Sequence, residues 1–518
     1  MVKKASWLIL LAALGIIAYA NSLGGAFIWD DNILITDNAV VKSWSSLPKV
    51  FTKENISTPT GKTFHFYRPL QTITYMADYA IGGLTPRVYH ITNVLLHVLV
   101  SLALFWCISV LYGDTLLAFV AAAVFTVHPV HAEAVAYISG RADPLAALFM
   151  LVSAVYYVKC TERGRIAYYA AAFFAFALAL FSRENSLILP ALLLAYHFTS
   201  GKRVKGPLFA PMLAIAGGYI ALRLVALKHL LPVFSSMHRT AALERVPGFF
   251  AAIAGYLKLL VLPYNLHMEY GDKVFRLTDQ AVMAGAAAAG IMLVVALAGR
   301  RLAGGKVSFG LLWFLIALLP VSNIYPVGAY MAEHWLYLPS IGIFLIAASA
   351  FRGLYSLKFM KAVSVAAAAA LVVYYSYLTI LQNDYWKDQI EFYERTLLFA
   401  PESIRANNDL AIAYEKIGKH DEAVEIYREL IRINPNQPDV YVNLAAVYLV
   451  TGKTDYAIAM CEKALSLEPI NATARNNLAV AYYMQGKFNA AIEQCDLAVK
   501  YGYKVNPRLL EMLEPYRK

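Results

Sequence analysis

The chain has 518 residues, of which 59% are apolar and only 15% charged, with a mean hydropathy of +0.53. A soluble protein carries about a quarter charged residues, so the composition excludes an ordinary globular domain and points to a chain that crosses a membrane many times. The net charge of +11 sits in short Lys/Arg clusters between apolar runs; that is the pattern of topology signals, not of a nucleic-acid groove.

The N-terminal MVKK and the following SWLILLAALGIIAYANSL have the charged start of a signal peptide. No small-residue cleavage site stands out, and the run can reach across a bilayer, so an uncleaved first span is expected. After it comes FIWDDNILI, residues 27–35, in which Asp30 and Asp31 interrupt an apolar string. On residue type alone the pair is either a solvated loop or helix cap, or a site. A carboxylate there could take a proton from an acceptor hydroxyl. Neighbours on a helix point about 100° apart, so one acid could face the reactants and the other a metal or a nearby amide.

Apolar runs then recur at 6–23, 89–112, 116–138, 143–159, 166–182, 184–200, 207–230, 247–264, 279–299, 306–325, 333–351 and 360–382. Each is read as a helix of spanning length. The basic loops 159–165, 200–206, 299–306 and 351–361 mark the cytoplasmic side, together with the N-terminus. Between 206 and 299 three runs connect two cytoplasmic loops, so one of them does not cross. The weakest is 247–264, which begins VPGFF and contains Lys258. It is read as a re-entrant or interfacial helix. The expectation is an all-α bundle of about eleven spans over residues 1–382, with an external loop at 24–88 and the C-terminal part extracytoplasmic.

From residue 383 charge density rises and a period of 34 appears. Leu410, Leu444 and Leu478 superpose, as do Gly418, Gly452 and Gly486, and Ala423, Ala457 and Ala491. Small residues let paired helices approach and glycine permits the turn between them, as in the tetratricopeptide repeat (TPR). The repeats are placed at 404–437, 438–471 and 472–505, after a half repeat at 386–403, giving a TPR α-solenoid over 383–518. Cys461 and Cys495 occupy equivalent repeat positions. Such sites lie roughly 10 Å apart, too far for a disulfide.

Polar residues gather at external span ends, where charge marks a pathway or site by default. His90, Asn93 and His97 share one helix face downstream of His65 and Arg68; interhelical hydrogen bonding is the bland alternative. His128, His131, Glu133, Arg141 and Asp143 follow; the first two suggest a metal pair, but Pro129 interrupts them. Arg183, Glu184, His267, Glu269, Glu333 and His334 complete the set. Arg and His with a few acids on one membrane face suit an anionic lipid-linked ligand. No GxSxG, HExxH or phosphate-binding glycine loop is present.

The segments WDDNILITDN, YRPLQTITY, YHITNVLLHVL, HPVHAEAVAYISGRADPLAALFMLVSA, AEHWLYLPSIG and NDYWKDQ ahead of the repeats resemble, in order, the transmembrane-and-TPR protein O-mannosyltransferases and their bacterial relatives. These belong to the GT-C class of integral membrane glycosyltransferases. The resemblance implies a sugar donor, mannose or another hexose, carried on polyprenyl or dolichyl phosphate. It implies a protein acceptor held by the TPR groove, and a carboxylate of the first external loop as base. That role falls to Asp30, with Asp31 supporting, or to Asp31 itself. Arg68, His90, His131, Glu133, Arg141, Glu333 and His334 match positions around the pocket, as binders of donor phosphate or sugar. A lipid phosphate is its own leaving group, so no cofactor is required; whether a divalent metal assists is left open. No metal ligand is assigned. The setting implied is a bacterial inner membrane. A lipid-linked-glycan transporter or a non-catalytic TPR scaffold would also have many spans, but neither needs the acid pair.

Overall fold

The computed structural model describes residues 2–52, 66–204, 209–227, 242–271, 273–302, 304–324 and 329–517, and among them there are helices and no strands. The chain forms two compact units, Met1–Asp388 and Gln389–Lys518, so residues 383–388 pack with the first unit.

The first unit is a helix bundle. In chain order it contains α1 (Val2–Tyr19), α2 (Pro69–Gly82), α3 (Pro86–Tyr112), α4 (Thr115–Val127), α5 (Ala132–Ala136), α6 (Ala142–Arg163) and α7 (Ile166–Ser182). Then come α8 (Leu189–Ser200), α9 (Phe209–Leu227), α10 (Ala242–Val261), α11 (Gln280–Leu302), α12 (Gly304–Leu318), α13 (Ser340–Ser356) and α14 (Lys361–Asp384). Among the described residues six helical segments are long and apolar enough to cross a membrane: Lys4–Gly24, Pro86–Tyr112, Ile138–Arg163, Phe209–Ala226, Gln280–Ala298 and Lys361–Asp384. Counting α4 with the bent segment after it gives seven. The expected eleven is therefore not reproduced; Ile166–Ser182, Gly305–Val321 and Ser340–Ser356 are apolar but shorter. The run at 247–264 is α10, which carries Glu244, Arg245 and Lys258 and is not in the spanning set.

The expected straight span at 116–138 is broken. α4 ends at Val127, and the chain resumes at a 58° bend. Pro129 has no N–H to donate and forces the residue before it out of the helical region; His128 is extended, at φ −76° and ψ 127°. A 3-10 turn (Pro129–His131), the one-turn α5 and a second 3-10 turn (Ile138–Arg141) follow before α6 begins.

Such breaks leave backbone carbonyls without helical partners, and in an apolar bundle each must find a donor. Side chains from neighbouring helices supply them. His131 Nδ1 donates to Phe125 O, His97 Nε2 to Thr126 O and Thr379 Oγ1 to Val127 O, at 2.8, 2.9 and 2.7 Å. Asn93 Nδ2 lies 3.1–3.2 Å from the carbonyls of Val135, Tyr137 and Ile138, and Gln71 Nε2 donates to Ser139 O at 2.9 Å.

The second unit comprises α15 (Gln389–Phe399), the pairs α16/α17 (Ile404–Lys416, His420–Ile433), α18/α19 (Pro438–Val450, Thr454–Leu467) and α20/α21 (Ala472–Met484, Phe488–Lys500), and a final short α22 (Pro507–Leu513). The aligned Ala423, Ala457 and Ala491 are fully buried where the paired helices touch. Gly418, Gly452 and Gly486 have φ of 79°, 72° and 73° in the inter-helix turns. Cys461 and Cys495 are buried, free thiols in the solenoid core. A left-handed residue with a Cβ costs about 1–2 kcal/mol. Gly452→Ala should therefore weaken the α18/α19 turn by about that amount, read as faster amide hydrogen exchange in those two helices of the full-length chain.

Candidate active site

The loop after α1 is fastened by contacts that the primary structure makes possible only once the helix break has formed. Asp31 is fully buried. Its Oδ1 accepts hydrogen bonds from the Ser139 N–H at 2.9 Å and the Ser139 hydroxyl at 2.5 Å, and its Oδ2 from the Ile28 N–H at 3.1 Å. Burial pushes its carboxyl up to about 7 against the pull of those bonds, and the charge of Asp30 adds to the rise. Asp30 is half-buried, and its carbonyl caps the following turn by accepting from the N–H groups of Ile33 and Leu34. A single π-helical turn, Asn32–Thr36, comes next. The two acids are thus sharply divided: one is locked into the frame, the other sits at its edge.

Ser139 is the hub of that frame. Its carbonyl accepts from Gln71, in the first turn of α2. One turn earlier, at the start of that helix, Arg68 makes a bidentate pair with Glu184, Nε to Oε2 at 3.2 Å and Nη2 to Oε1 at 3.0 Å. One turn beyond Ser139, Asp143 in α6 pairs with Arg183. Asp143 also interacts electrostatically with His334, Arg68 and Glu133. Glu133 accepts from His334 twice, from Nδ1 at 2.6 Å and from the backbone N–H at 2.8 Å. Glu333 accepts from the His267 N–H at 2.5 Å and the Tyr270 hydroxyl at 2.6 Å. Gly140 keeps this assembly tight: a Cβ there would lie 2.5 Å from the Glu133 carbonyl oxygen.

The structure therefore brings Arg68, Glu133 and His334 into one ionic network, and adds Asp143, Arg183 and Glu184; Glu333, next to His334 in the chain, is held by the His267 N–H and the Tyr270 hydroxyl. The other sequence candidates lie outside that ionic network. Arg141 is fully buried and its N–H groups are engaged: Nε by Asn93, Nη1 by Thr74 and Asp78, Nη2 by the Tyr89 carbonyl. Its guanidinium also lies over the Tyr75 ring, 4.7 Å from the centroid. His131 serves the Phe125 carbonyl and faces Ser340. His90 is 1% exposed and packs beneath the backbone of Gly25, where a Cβ would sit 2.8 Å from its Nε2. His128 donates to the Leu260 carbonyl. His65 lies outside the described residues. Among the described residues no group of three His, Cys, Asp or Glu side chains is placed to hold a metal. Ser139 and Gln71, which organise the site, are uncharged and were not singled out; their only sequence signal is polarity inside apolar surroundings.

Beside the network lies an apolar cavity of about 440 Å³, lined by Phe51, Thr52, Tyr67, Leu222, Val225 and Ala226. Tyr67 is the residue before Arg68, and the Tyr219 hydroxyl donates to its carbonyl at 3.2 Å. Leu222 is followed by Arg223, whose charge acts on Glu184. The α9 wall belongs to a spanning helix whose Leu213 and Val225 are 61% and 78% exposed.

Tetratricopeptide-repeat models match residues 413–452 and 448–513. Protein O-mannosyl-transferase F38B6.6 of Caenorhabditis elegans is 26% identical over 420 residues, covering 78% of this chain and 59% of that protein. Protein O-mannosyl-transferase TMTC2 of Homo sapiens is 40% identical over 158 residues, 30% of this chain and 19% of that protein. Among solved structures, an archaeal oligosaccharyltransferase from Archaeoglobus fulgidus aligns at 14% identity and a TM-score of 0.45, covering 74% of this chain and 56% of that one. The chain is a helical membrane protein with C-terminal TPR repeats, similar to the transmembrane-and-TPR O-mannosyltransferases. It spans less than two thirds of the length of these curated relatives.

Two consequences concern the frame. Removing one partner of a buried ion pair costs about 3–5 kcal/mol. Arg141→Leu, which leaves Asp78 buried without its guanidinium, should accordingly lose folded protein by fluorescence size-exclusion, while Arg68→Ala, at the accessible pair, keeps it. The second is a pH dependence. The folded-state pKa of Asp31 is raised, so the stability tied to its protonated form is full below the unfolded value near 4 and is lost as pH rises through about 7. Thermal unfolding should show a fall in stability from pH 5 to pH 8 that is smaller in Asp31→Asn.

Proposed function

We propose that this protein is a membrane glycosyltransferase. It moves a sugar, mannose or another hexose, from a polyprenyl-phosphate donor to a Ser or Thr hydroxyl of a protein on the external face, with inversion. The N-terminus is then cytoplasmic and the TPR unit extracytoplasmic, in a bacterial inner membrane. The observation that carries the reading is the division of the acid pair. Asp31 is bound by three donors and fixes the loop; the half-buried Asp30 sits at its edge, and Gln71 of the same frame lies one helical turn from Arg68.

Asp30 takes the proton of the acceptor hydroxyl as its oxygen forms the new bond to the anomeric carbon. The bond from that carbon to the phosphate oxygen breaks, and polyprenyl phosphate departs with the electron pair. Charge develops on the leaving phosphate, so preorganised cations act there. Arg68 is suited to this. Its side chain is 17% exposed, and its planar fork already binds a carboxylate in the two-point geometry that a phosphate also offers. The apolar cavity next to Tyr67 and Leu222 supports a donor whose anionic group is attached to a hydrocarbon chain. The relatives' designation as protein O-mannosyl-transferases supports a protein acceptor and mannose, and the TPR unit supports its capture as a peptide segment.

General bases contribute about 10²–10⁴ in rate. Asp30→Asn should lower kcat by that factor in a mass-spectrometric assay of sugar transfer from a polyprenyl-phosphate hexose to a Ser/Thr peptide. Full activity in that variant would exclude Asp30 as the base. Arg68→Ala should mainly weaken handling of the donor, and its transfer rate should fall less for a donor with a better leaving group.

A further inference from the structure

We propose that Trp386 is a positioning residue for Asp30, acting through a column of three aromatic rings. This rests on the reading of Asp30 as the base. The Trp386 ring is 3% exposed and stacks on Tyr137, with centroids 5.5 Å apart and planes inclined by 26°. Tyr137 stacks in turn on Trp29, at the same separation and inclination. Tyr137 is the residue before the turn that holds Ser139; Trp29 is the residue before Asp30.

The column accounts for an otherwise unexplained backbone. Trp29 has φ +51°, the left-handed region. Bulky residues adopt it only where their surroundings hold them. Here the indole is held flat against Tyr137. Three residues earlier the strap is fastened again, by the Ala26 N–H donating to the Lys387 carbonyl at 2.9 Å. Asp30 therefore lies between two fixed ends. Asp31 is held by Ser139, and Trp29 by the column. Were Trp29 to relax to a right-handed φ, the backbone entering Asp30 would turn while the backbone leaving it stayed, and the carboxylate would swing off its line.

Trp386 is itself delivered by a seam between the first and last spans. Asn383 Nδ2 donates to the Ala18 carbonyl and to Asn21 Oδ1, both at 2.9 Å. Asn21 Nδ2 donates to the Ile380 carbonyl at 2.8 Å and to Asp384 Oδ1 at 3.0 Å. The end of α14 is thereby registered against the end of α1, and the next two residues place the indole under Tyr137. The ring serves Asp30 through Tyr137 and Trp29.

The test uses the full-length protein in nanodiscs, with a hexose-loaded polyprenyl phosphate and a Ser/Thr peptide. A misplacement of about 1 Å can cost about a hundredfold. Trp386→Ala should therefore lower kcat by roughly ten- to a hundredfold with the donor KM within about twofold, and Trp386→Phe, which still stacks, should recover most of it. Glycine takes a positive φ without cost. In a Trp29→Gly background the same Trp386→Ala change should then cost no more than about twofold further, because the ring through which the column acts is already gone. Equal losses in both backgrounds, or an unchanged kcat in Trp386→Ala, overturn the proposal. Should Trp386→Ala not fold, Trp386→Leu keeps apolar volume without a stacking face and gives the same comparison. Asp30→Asn separates the two ideas: if it is inactive while Trp386→Ala is unaffected, the column fails and the base stands; if it is fully active, the base fails.

Discussion

A carboxylate shut away from water must be met by donors or surrender its charge. Asp31 is met by three, and two of them come from one residue more than a hundred positions downstream. That single contact joins the loop after the first span to the turn before α6. The rest of the site is arranged around it. Through the Ser139 carbonyl it reaches Gln71 and so sets where α2 begins and Arg68 emerges. Through the start of α6 it sets Asp143 and the arginine that pairs with it. The turn that carries Ser139 exists because Pro129 ends α4 early. A covalent restriction on one N–H thus propagates into the geometry of an ionic network.

Polar groups in this apolar unit do two different jobs. One set compensates for the broken helix: His97, His131, Asn93, Thr379 and Gln71 each donate to carbonyls that the break exposed. Arg141 belongs with them, since it grips Asn93 and so fixes the side chain that covers three carbonyls at once. The other set pairs acid with base where at least one partner keeps some exposure, as the Arg68–Glu184 pair does on both sides and the pair of buried Glu133 with His334 does at the imidazole.

That distinction explains what could be read from the residues alone. The repeats were legible because the period of 34 repeats the same steric demand three times; each aligned glycine has the left-handed φ that its turn requires. The all-α character and the TPR solenoid followed from patterns of that kind. The acid pair was legible as a feature, and Arg68, Glu133, Glu333 and His334 as members of a polar face. His90, His131 and Arg141 were read toward the pocket from the family resemblance and from the rule that a charged or titratable residue in an apolar run looks functional in one dimension; in the structure Arg141 and His131 are engaged by neighbouring protein groups and His90 packs beneath Gly25. Whether such a residue faces a ligand or a stranded carbonyl depends on where the backbone breaks. Pro129 signalled a break, but not the three short helices that followed or the carbonyls they would strand. Ser139 and Gln71 were invisible for the converse reason: they carry no charge and act through their partners.

The division between the two adjacent acids follows from accessibility before acidity. Burial raises Asp31 to about 7, which taken alone would suit a base working near neutral pH. A base must also reach the proton it removes, and Asp31 has no exposed surface; its oxygens already accept from Ser139 and Ile28. To receive a proton from a hydroxyl it would have to release the contacts that define the loop. Asp30 carries no such duty through Ser139, and its neighbours on both sides are fixed. The hold on Asp31 therefore fixes the backbone on one side of Asp30: one carboxylate is spent on the rigidity that sets the position of the next.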